Sequence, residues 1–213
     1  MGYYPLFLEM KGRRCLVVGG GLVAQRKVEG LLAAEATVTV VSPELTPEMA
    51  SLQAEGHIEH RAREYRRGDL EGFDIVVAAT DDAAVNQRVA REARRKGAWV
   101  NVVDEPELCD FILPSVIRRG DVVLAISTGG LSPALARWLR EELEGYLSED
   151  FDRLARLLAE TRRELRESGF SPDAEAWQRA IDGRLRELLS AGRYTEAKAR
   201  LLSILKAGPQ IKA

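Results

Sequence analysis

The first part of the chain alternates short, dense apolar runs with segments whose apolar residues recur every three or four positions. The runs are Cys15–Val18, Thr37–Val41, Ile75–Ala79, Trp99–Val103 and Val122–Ile126. A strand covered on one face alternates apolar and polar side chains. These runs are nearly continuous, as strands of a parallel sheet clad by helices on both faces should be. The segments between them are of helix length, so the pattern predicts repeated strand–helix–strand units. From residue 134 onward no strand-like run occurs. Leu154, Leu157, Leu158, Thr161 and Leu165 share one helical face, and Tyr194, Leu201 and Leu205 begin another, which predicts an all-helical end.

Helix boundaries follow from local chemistry. Thr46-Pro47, Ser132-Pro133 and Ser171-Pro172 each place a hydroxyl cap before a proline at the first helical position. Gly97, after Arg94-Arg95-Lys96, reads as a helix C-cap with cations at the negative end of the dipole. Arg118-Arg119-Gly120-Asp121 reads as a hairpin turn. Gly68–Gly72 and Ser168–Ser171 read as loops.

Composition narrows the function. The 213 residues are 46% hydrophobic and 30% charged with a net charge of −2, an ordinary globular balance. No basic excess marks a nucleic-acid or membrane partner, and no apolar run approaches the roughly 18 residues that span a bilayer. Met1–Glu9 has neither a basic start nor a long apolar stretch, so export is not expected. Cys15 and Cys109 are too few for a disulfide framework, and a reduced, cytoplasmic chain is expected. His57 and His60 form a bare His-x-x-His on the expected third strand, a weak metal signal, and no metal site is assigned. Cys109 reads as a small buried hydrophobe.

The most informative stretch is Cys15-Leu16-Val17-Val18-Gly19-Gly20-Gly21-Leu22-Val23-Ala24: strand, glycine turn, helix. The spacing Gly19-x-Gly21-x-x-Ala24 fits the dinucleotide-binding fingerprint. The first glycine permits the tight turn, the second leaves room for a pyrophosphate, and the small third residue lets helix and strand pack closely. The helix places Val23, Lys27, Val28, Leu31 and Leu32 on one face. The backbone N–H groups of Leu22 and Val23 would face the phosphates. After the second run, Val41-Ser42-Pro43-Glu44 offers Glu44 as the nearest acid for an adenine ribose, and no arginine follows to hold a 2′-phosphate; NAD is favoured over NADP. Ligands of open α/β sheets lie outside the carboxyl ends of the strands, which puts Thr80 and Asn101 beside the nicotinamide half. Asn101 reads alternatively as a strand-end turn residue, and Asp81 and Asp82 read as N-caps of the next helix.

These residues resemble a known family. The blocks Tyr4-Pro5-Leu6-Phe7, Val17–Lys27, Ala78-Ala79-Thr80-Asp81-Asp82 with Val85-Asn86, Asn101-Val102-Val103-Asp104, Phe111-Ile112-Leu113-Pro114 and Ala125–Arg137 are similar, in order, to precorrin-2 dehydrogenase, the dehydrogenase/ferrochelatase part of sirohaem synthase. The resemblance implies a Rossmann-like NAD-binding domain (1–113), a dimerisation segment (114–147) and an all-helical carboxy-terminal domain (148–213), in a homodimer. It implies NAD⁺-dependent conversion of precorrin-2, a tetrapyrrole, to sirohydrochlorin, and in some members Fe²⁺ insertion as well. Asp104 matches the acid needed for chemistry, and Leu22, Val23, Pro43 and Glu44 match backbone contacts to the dinucleotide; Gly19, Gly21, Thr80, Asn101 and Val102 complete the expected cofactor set. Asp104 would accept the proton that leaves with the hydride, or else orient the macrocycle. Ser127, Thr128, Gly129 and Arg137 are candidates for the substrate's carboxylates, because glycine-freed backbone ahead of a helix start binds anions; Arg118 and Arg119 are further candidates. Two departures stand out. Glu35 replaces a usual glycine; at a left-handed helix end it would cost about 1 kcal/mol. Thr128 replaces a serine that some members modify with phosphate. A dehydrogenase that is also a sirohydrochlorin ferrochelatase, and a non-catalytic NAD-binding redox sensor, are the competing readings.

Overall fold

The computed structural model describes residues 2–207; Met1 and residues 208–213, the tail of the expected helical domain, lie outside the described residues. The chain divides into two compact units, Met1–Leu113 and Pro114–Ala213.

The first unit is built on five parallel strands: β1 (Arg14–Val18), β2 (Thr37–Ser42), β3 (Ile58–Ala62), β4 (Ile75–Ala78) and β5 (Trp99–Val102), in the order β3-β2-β1-β4-β5. Helices α1 (Leu22–Leu32), α2 (Pro47–Ala54) and α3 (Ala83–Lys96) link β1 to β2, β2 to β3 and β4 to β5, while β3 runs to β4 without a helix. The dense apolar runs are explained by two cores, one on each face of the sheet. Leu16, Val18, Val76, Val100 and Val102 pack with Val89, Ala90 and Ala93 of α3. Cys15, Val17, Val38, Val40, Ile75 and Val77 pack with Ala24 and Val28 of α1 and Met49 of α2. Alternate residues of one strand therefore serve opposite cores, and nearly all must be apolar. His60 lies on β3 and His57 just before it.

Helix ends follow the local chemistry at several positions. Thr46 accepts from Met49 N ahead of α2, and Gly97 closes α3 in the left-handed region (φ 74°). Asp82 caps α3 through Ala84 N (2.8 Å) and Val85 N (3.1 Å); Asp81, expected to share that role, does not. One carboxylate at the cap position satisfies both amides, so a second has nothing to accept.

The second unit opens with a two-stranded antiparallel sheet, β6 (Ser115–Arg119) and β7 (Val122–Ile126), followed by α4 (Pro133–Glu144), α5 (Asp150–Glu167), α6 (Ala174–Ala180), α7 (Gly183–Ser190) and α8 (Tyr194–Ala207). The grouping of Val122–Ile126 with the parallel sheet is thus corrected. Gly120-Asp121 is a two-residue link, which can return the chain only antiparallel; a parallel partner needs a crossover of a dozen residues or more. Arg119 pairs with Val122 across that turn. The helical core contains Leu154, Leu157 and Leu165 of α5 with Leu185, Leu188, Leu201 and Leu205. Thr161 is buried on the same face of α5. Two details differ from expectation. The cap of α6 is Asp173, accepting from Ala176 N at 2.7 Å, rather than Ser171. The buried face of α8 starts at Ala197, while Tyr194 turns outward to donate to Glu160 (2.5 Å), satisfying its hydroxyl. Among the described residues, no helix is long and apolar enough to cross a membrane.

Candidate functional site

The carboxyl ends of β1, β2, β4 and β5 carry the expected cofactor residues, and the backbone ladder continues past the strands to hold them. Gly19 N donates to Val41 O (3.0 Å), Ala79 N to Val18 O (2.8 Å) and Val103 N to Ala78 O (3.0 Å). The three glycines do three different things. Gly19 has φ 124°, and a Cβ there would overlap the Ala79 carbonyl. Gly20 passes so close to the segment after β2 that a Cβ would overlap the Glu44 carbonyl and lie 2.6 Å from Ser42 Oγ. Gly21 is the reverse: a Cβ there would meet nothing within 4 Å. The fingerprint points to Gly19 and Gly21, while the need for Gly20 comes from a loop 24 residues away in the chain (Gly20 to Glu44). No local signal reports that approach.

Gly21 is also the N-cap of α1 and brings no side chain to the task. The first-turn amides at Leu22 and Val23 therefore face outward without a side-chain cap, and the Leu22 side chain is 72% exposed. Uncapped N–H groups at a positive dipole end, beside a position cleared of any Cβ, make a cradle for a phosphate group. Ala24 behind them is fully buried, as the close helix–strand packing requires. A dinucleotide pyrophosphate fits these residues.

The segment after β2 is tied down. Ser42 Oγ donates to Glu44 O (2.6 Å), His60 Nε2 donates to Ser42 O (2.9 Å), and Thr46 N donates to Gly20 O (3.1 Å). Thr46 Oγ1 reaches Gln25 Oε1 on α1 at 2.8 Å. Pro43 and Glu44 stand exposed on this braced segment. The last residue of β2, where a ribose-binding acid would commonly sit, is the buried Ser42, and its hydroxyl is consumed locally.

At the end of β4, Thr80 Oγ1 donates to Asn86 Oδ1 (2.8 Å) and Asn86 Nδ2 returns to Thr80 O (3.0 Å). At the end of β5, Asn101 is buried and donates through Nδ2 to Phe111 O (3.0 Å). Its amide thus holds the returning segment in place. Val102 exchanges hydrogen bonds with Cys109, whose Sγ lies 3.1 Å from both Val102 N and Val102 O. Burial pushes the Cys109 thiol up from its ordinary value, which suits a thiol that donates to a carbonyl rather than a reactive thiolate. Burial, reinforced by Asp74, likewise pushes the Cys15 thiol up to about 11.

Asp104 is exposed and has φ 61°, one of two non-glycine residues in the left-handed region among the described residues. That conformation costs of the order of 1 kcal/mol, less for Asp than for most residues. Strain of this kind persists where neighbours over-determine the backbone, and it gathers at functional sites. Here the turn is bounded by Val103 N donating to Ala78 O and by Glu105 N donating to Val102 O (3.4 Å). The other such residue is Glu35 (φ 60°), where a left-handed helix end was expected to disfavour it; Gly12 N donates to its carbonyl (3.0 Å) and Lys11 pairs with its carboxylate (3.1 Å). Lys27, read from sequence only as part of the packed face of α1, is half-buried, and burial holds its ammonium below the ordinary lysine value.

Ser127, Thr128, Gly129 and Arg137 belong to the second unit. Gly129 and Gly130 have positive φ (64° and 85°). The loop satisfies itself: Ser127 Oγ accepts from Gly129 N (3.1 Å), and Thr128 Oγ1 accepts from Ser132 N (3.0 Å) while donating to Ser132 O (3.1 Å). Ser132 caps α4 through Leu135 N (3.2 Å), and Arg137 stands exposed one turn on. Arg119 is engaged by Glu144 and Glu149. Among the described residues, no group of three or more His, Cys, Asp or Glu is arranged to hold a metal ion.

Residues 6–115 match an NAD(P)-binding family model, and residues 119–146 match the model for the central part of sirohaem biosynthesis proteins. The chain is 44% identical over 212 residues to a siroheme synthase of Thioalkalivibrio sulfidiphilus, covering 98% of this chain and 43% of that protein. It is 45% identical over 204 residues to the siroheme synthase of Methylococcus capsulatus, covering 95% and 43%. The chain thus spans less than half the length of these relatives. Among solved structures, SirC, a precorrin-2 dehydrogenase, superimposes with a TM-score of 0.77 at 29% identity, covering 94% of this chain and all of that one. With its parallel-sheet unit matched along its length, the chain belongs to the NAD(P)-binding family, and the central segment of sirohaem biosynthesis proteins follows in order.

Proposed function

We propose that this chain oxidises precorrin-2 to sirohydrochlorin with NAD⁺. The observation that carries the reading is the pairing of an uncapped, Cβ-free phosphate cradle at Gly21-Leu22-Val23 with a strained, exposed carboxylate, Asp104, at the end of β5 in the same unit. NAD⁺, when bound, accepts the hydride. The protein's own share is placement and proton removal. Gly19, Gly21, Leu22 and Val23 would hold the pyrophosphate, with Pro43 and Glu44 along the adenosine side and Thr80, Asn101 and Val102 lining the other half. Loss of a hydride and a proton from the macrocycle leaves one proton to be taken up, and Asp104 is the base assigned to it. Ser127, Thr128, Gly129 and Arg137 are assigned to the substrate's carboxylates. The backbone N–H groups around Gly129 and Gly130 supply donors there, since the Thr128 hydroxyl is engaged by its own loop.

The division 1–113, 114–147 and 148–213 is retained as the functional one, the central segment serving a homodimer. The reading draws support from α4, which exposes Leu135 and Trp138 on one side, with Leu131 91% exposed just before it. A cytoplasmic setting suits two free cysteines, one buried and one capping a turn. The test is direct. Purified protein mixed with precorrin-2 and NAD⁺ should form NADH, and Asp104→Ala should abolish it while still binding NADH. A wild-type protein that binds NADH and never reduces NAD⁺ in the presence of precorrin-2 would overturn the enzyme reading in favour of a sensor.

A further inference from the structure

β5 is the last strand of the parallel sheet, with β4 on one side and no strand on the other. Such an edge leaves backbone N–H and C=O groups without partners. The returning segment 109–111 supplies them. Asp110 N donates to Val100 O (2.8 Å), and Val100 N donates to the Asp110 carboxylate (3.0 Å). Asn101 Nδ2 donates to Phe111 O (3.0 Å). At Val102 a thiol takes over: Cys109 Sγ accepts from Val102 N and donates to Val102 O, both at 3.1 Å. Val102 is buried, so losing that partner leaves an amide that water reaches only at a cost. The same sulfur lies 3.4 Å from Glu105 O. One atom thus meets the backbone on both sides of Asp104, at Val102 before it and at Glu105 after it. The chain between them is the left-handed turn (Asp104 φ 61°).

We propose that Cys109 is a positioning residue for Asp104: its thiol ties Val102 to Glu105 and so fixes the turn that presents the carboxylate to the substrate. The inference rests on the dehydrogenase reading, in which Asp104 takes the proton. Among the described residues the Asp104 carboxylate makes no hydrogen bond and no salt bridge, so its direction is set by the backbone beneath it. That backbone is in a region a non-glycine residue leaves unless its neighbours hold it there. Two other ties exist, Val103 N to Ala78 O (3.0 Å) and the longer Glu105 N to Val102 O (3.4 Å). The thiol meets Val102 and Glu105 at once, the two residues that this longer bond joins. A base works only within hydrogen-bond reach of its proton, and a misplacement of about 1 Å costs on the order of 10²-fold in rate.

The experiment compares wild type, Cys109→Ala, Cys109→Ser and Cys15→Ala in steady-state assays with precorrin-2 and NAD⁺, beside NADH fluorescence titrations, thermal melts and amide hydrogen exchange. Cys15 is the control: a fully buried thiol of β1 in the same unit that packs into the opposite core. Cys109→Ala should lower kcat by about 10- to 100-fold while KM for precorrin-2 and Kd for NADH stay at their wild-type values. The Val102 amide, its acceptor gone, should exchange about 10-fold faster. Cys109→Ser keeps a donor and an acceptor and should recover most of both. Cys15→Ala should lower Tm at wild-type kcat. Wild-type kcat in Cys109→Ala would overturn the positioning role and leave the dehydrogenase intact. A loss carried by KM or by NADH affinity would overturn it too, as would an equal kcat loss in Cys15→Ala, which would trace the defect to stability. Unchanged exchange at Val102 would overturn the tie itself. A wild type that forms no NADH would sink the dehydrogenase reading, and the catalytic half of the inference with it, whatever the exchange rates. If Cys109→Ala does not fold, the serine variant decides: once folded, it must keep at least about a third of the wild-type kcat, and a smaller value overturns the proposal.

Discussion

Adding one methyl group at Gly20 and one at Gly21 should have opposite consequences, though the residues are neighbours. At Gly20 the new Cβ overlaps the Glu44 carbonyl and lies 2.6 Å from Ser42 Oγ, so the segment after β2 must move away. Overpacking of this kind costs about 1–3 kcal/mol. Two hydrogen bonds are stretched with it, Thr46 N to Gly20 O and Ser42 Oγ to Glu44 O, each worth about 1 kcal/mol. The total is about 2–5 kcal/mol. For a unit of this size each kcal/mol lowers Tm by roughly 4 °C or more, so Gly20→Ala should melt on the order of 10 °C early. At Gly21, φ −84° and ψ −176° suit any residue and nothing lies within 4 Å of the added carbon. Gly21→Ala should therefore lose no more than about 1 kcal/mol, the difference between Gly and Ala as caps. Its methyl would instead stand in the path of the pyrophosphate, and NADH affinity should fall by about 10-fold or more, equivalent to at least about 1.4 kcal/mol. Thermal melts and NADH fluorescence titrations on both variants separate the two effects. Gly21→Ala with wild-type NADH affinity would refute the placement of the dinucleotide. Gly20→Ala with wild-type Tm would refute the argument from close approach.

Glu35→Gly should stabilise the first unit by up to about 1 kcal/mol, because glycine accepts φ 60° without the side-chain penalty; the gain is partly offset by the looser unfolded chain, and urea midpoints would measure it. Asp69 is buried with Arg61 and Arg63 against it, and the Arg63 hydrogen bond is the first cause holding its carboxyl below the ordinary value. The depressed folded pKa means that this stabilisation is complete above the unfolded value, near 3.8, and is lost as pH falls through the folded value. Asp69→Asn should cost about 3 kcal/mol at neutral pH, with a smaller difference from wild type in the strongly acid range, as read by urea unfolding at several pH values. Gly120→Ala should destabilise the second unit, since the turn has φ 55° and an added Cβ would overlap the Asp152 carboxylate that accepts from Asp121 N; proteolysis of the β6–β7 hairpin should quicken accordingly.

Much of this protein is written in short-range pattern. Nearly continuous apolar runs at Cys15–Val18, Thr37–Val41 and Ile75–Ala79 require burial on both faces, and only a parallel sheet between helix layers provides that. The Gly19-x-Gly21 spacing follows from the turn and the cradle it must build, and Thr46, Ser132 and Gly97 cap helices by chemistry that acts within four residues. The rest was decided by contacts between distant segments. Gly20 matters because Glu44 arrives against it, Asn101 because Phe111 returns past it, and Asp104 is strained because the β4 and β5 ends bind the chain on either side. Val122–Ile126 has the composition of a parallel strand and becomes half of a hairpin, because a two-residue link cannot carry the chain back across a sheet. Periodicity and capping are local properties of the chain. The positions of carbonyls, ammonium groups and carboxylates relative to one another exist only once the strands are laid side by side.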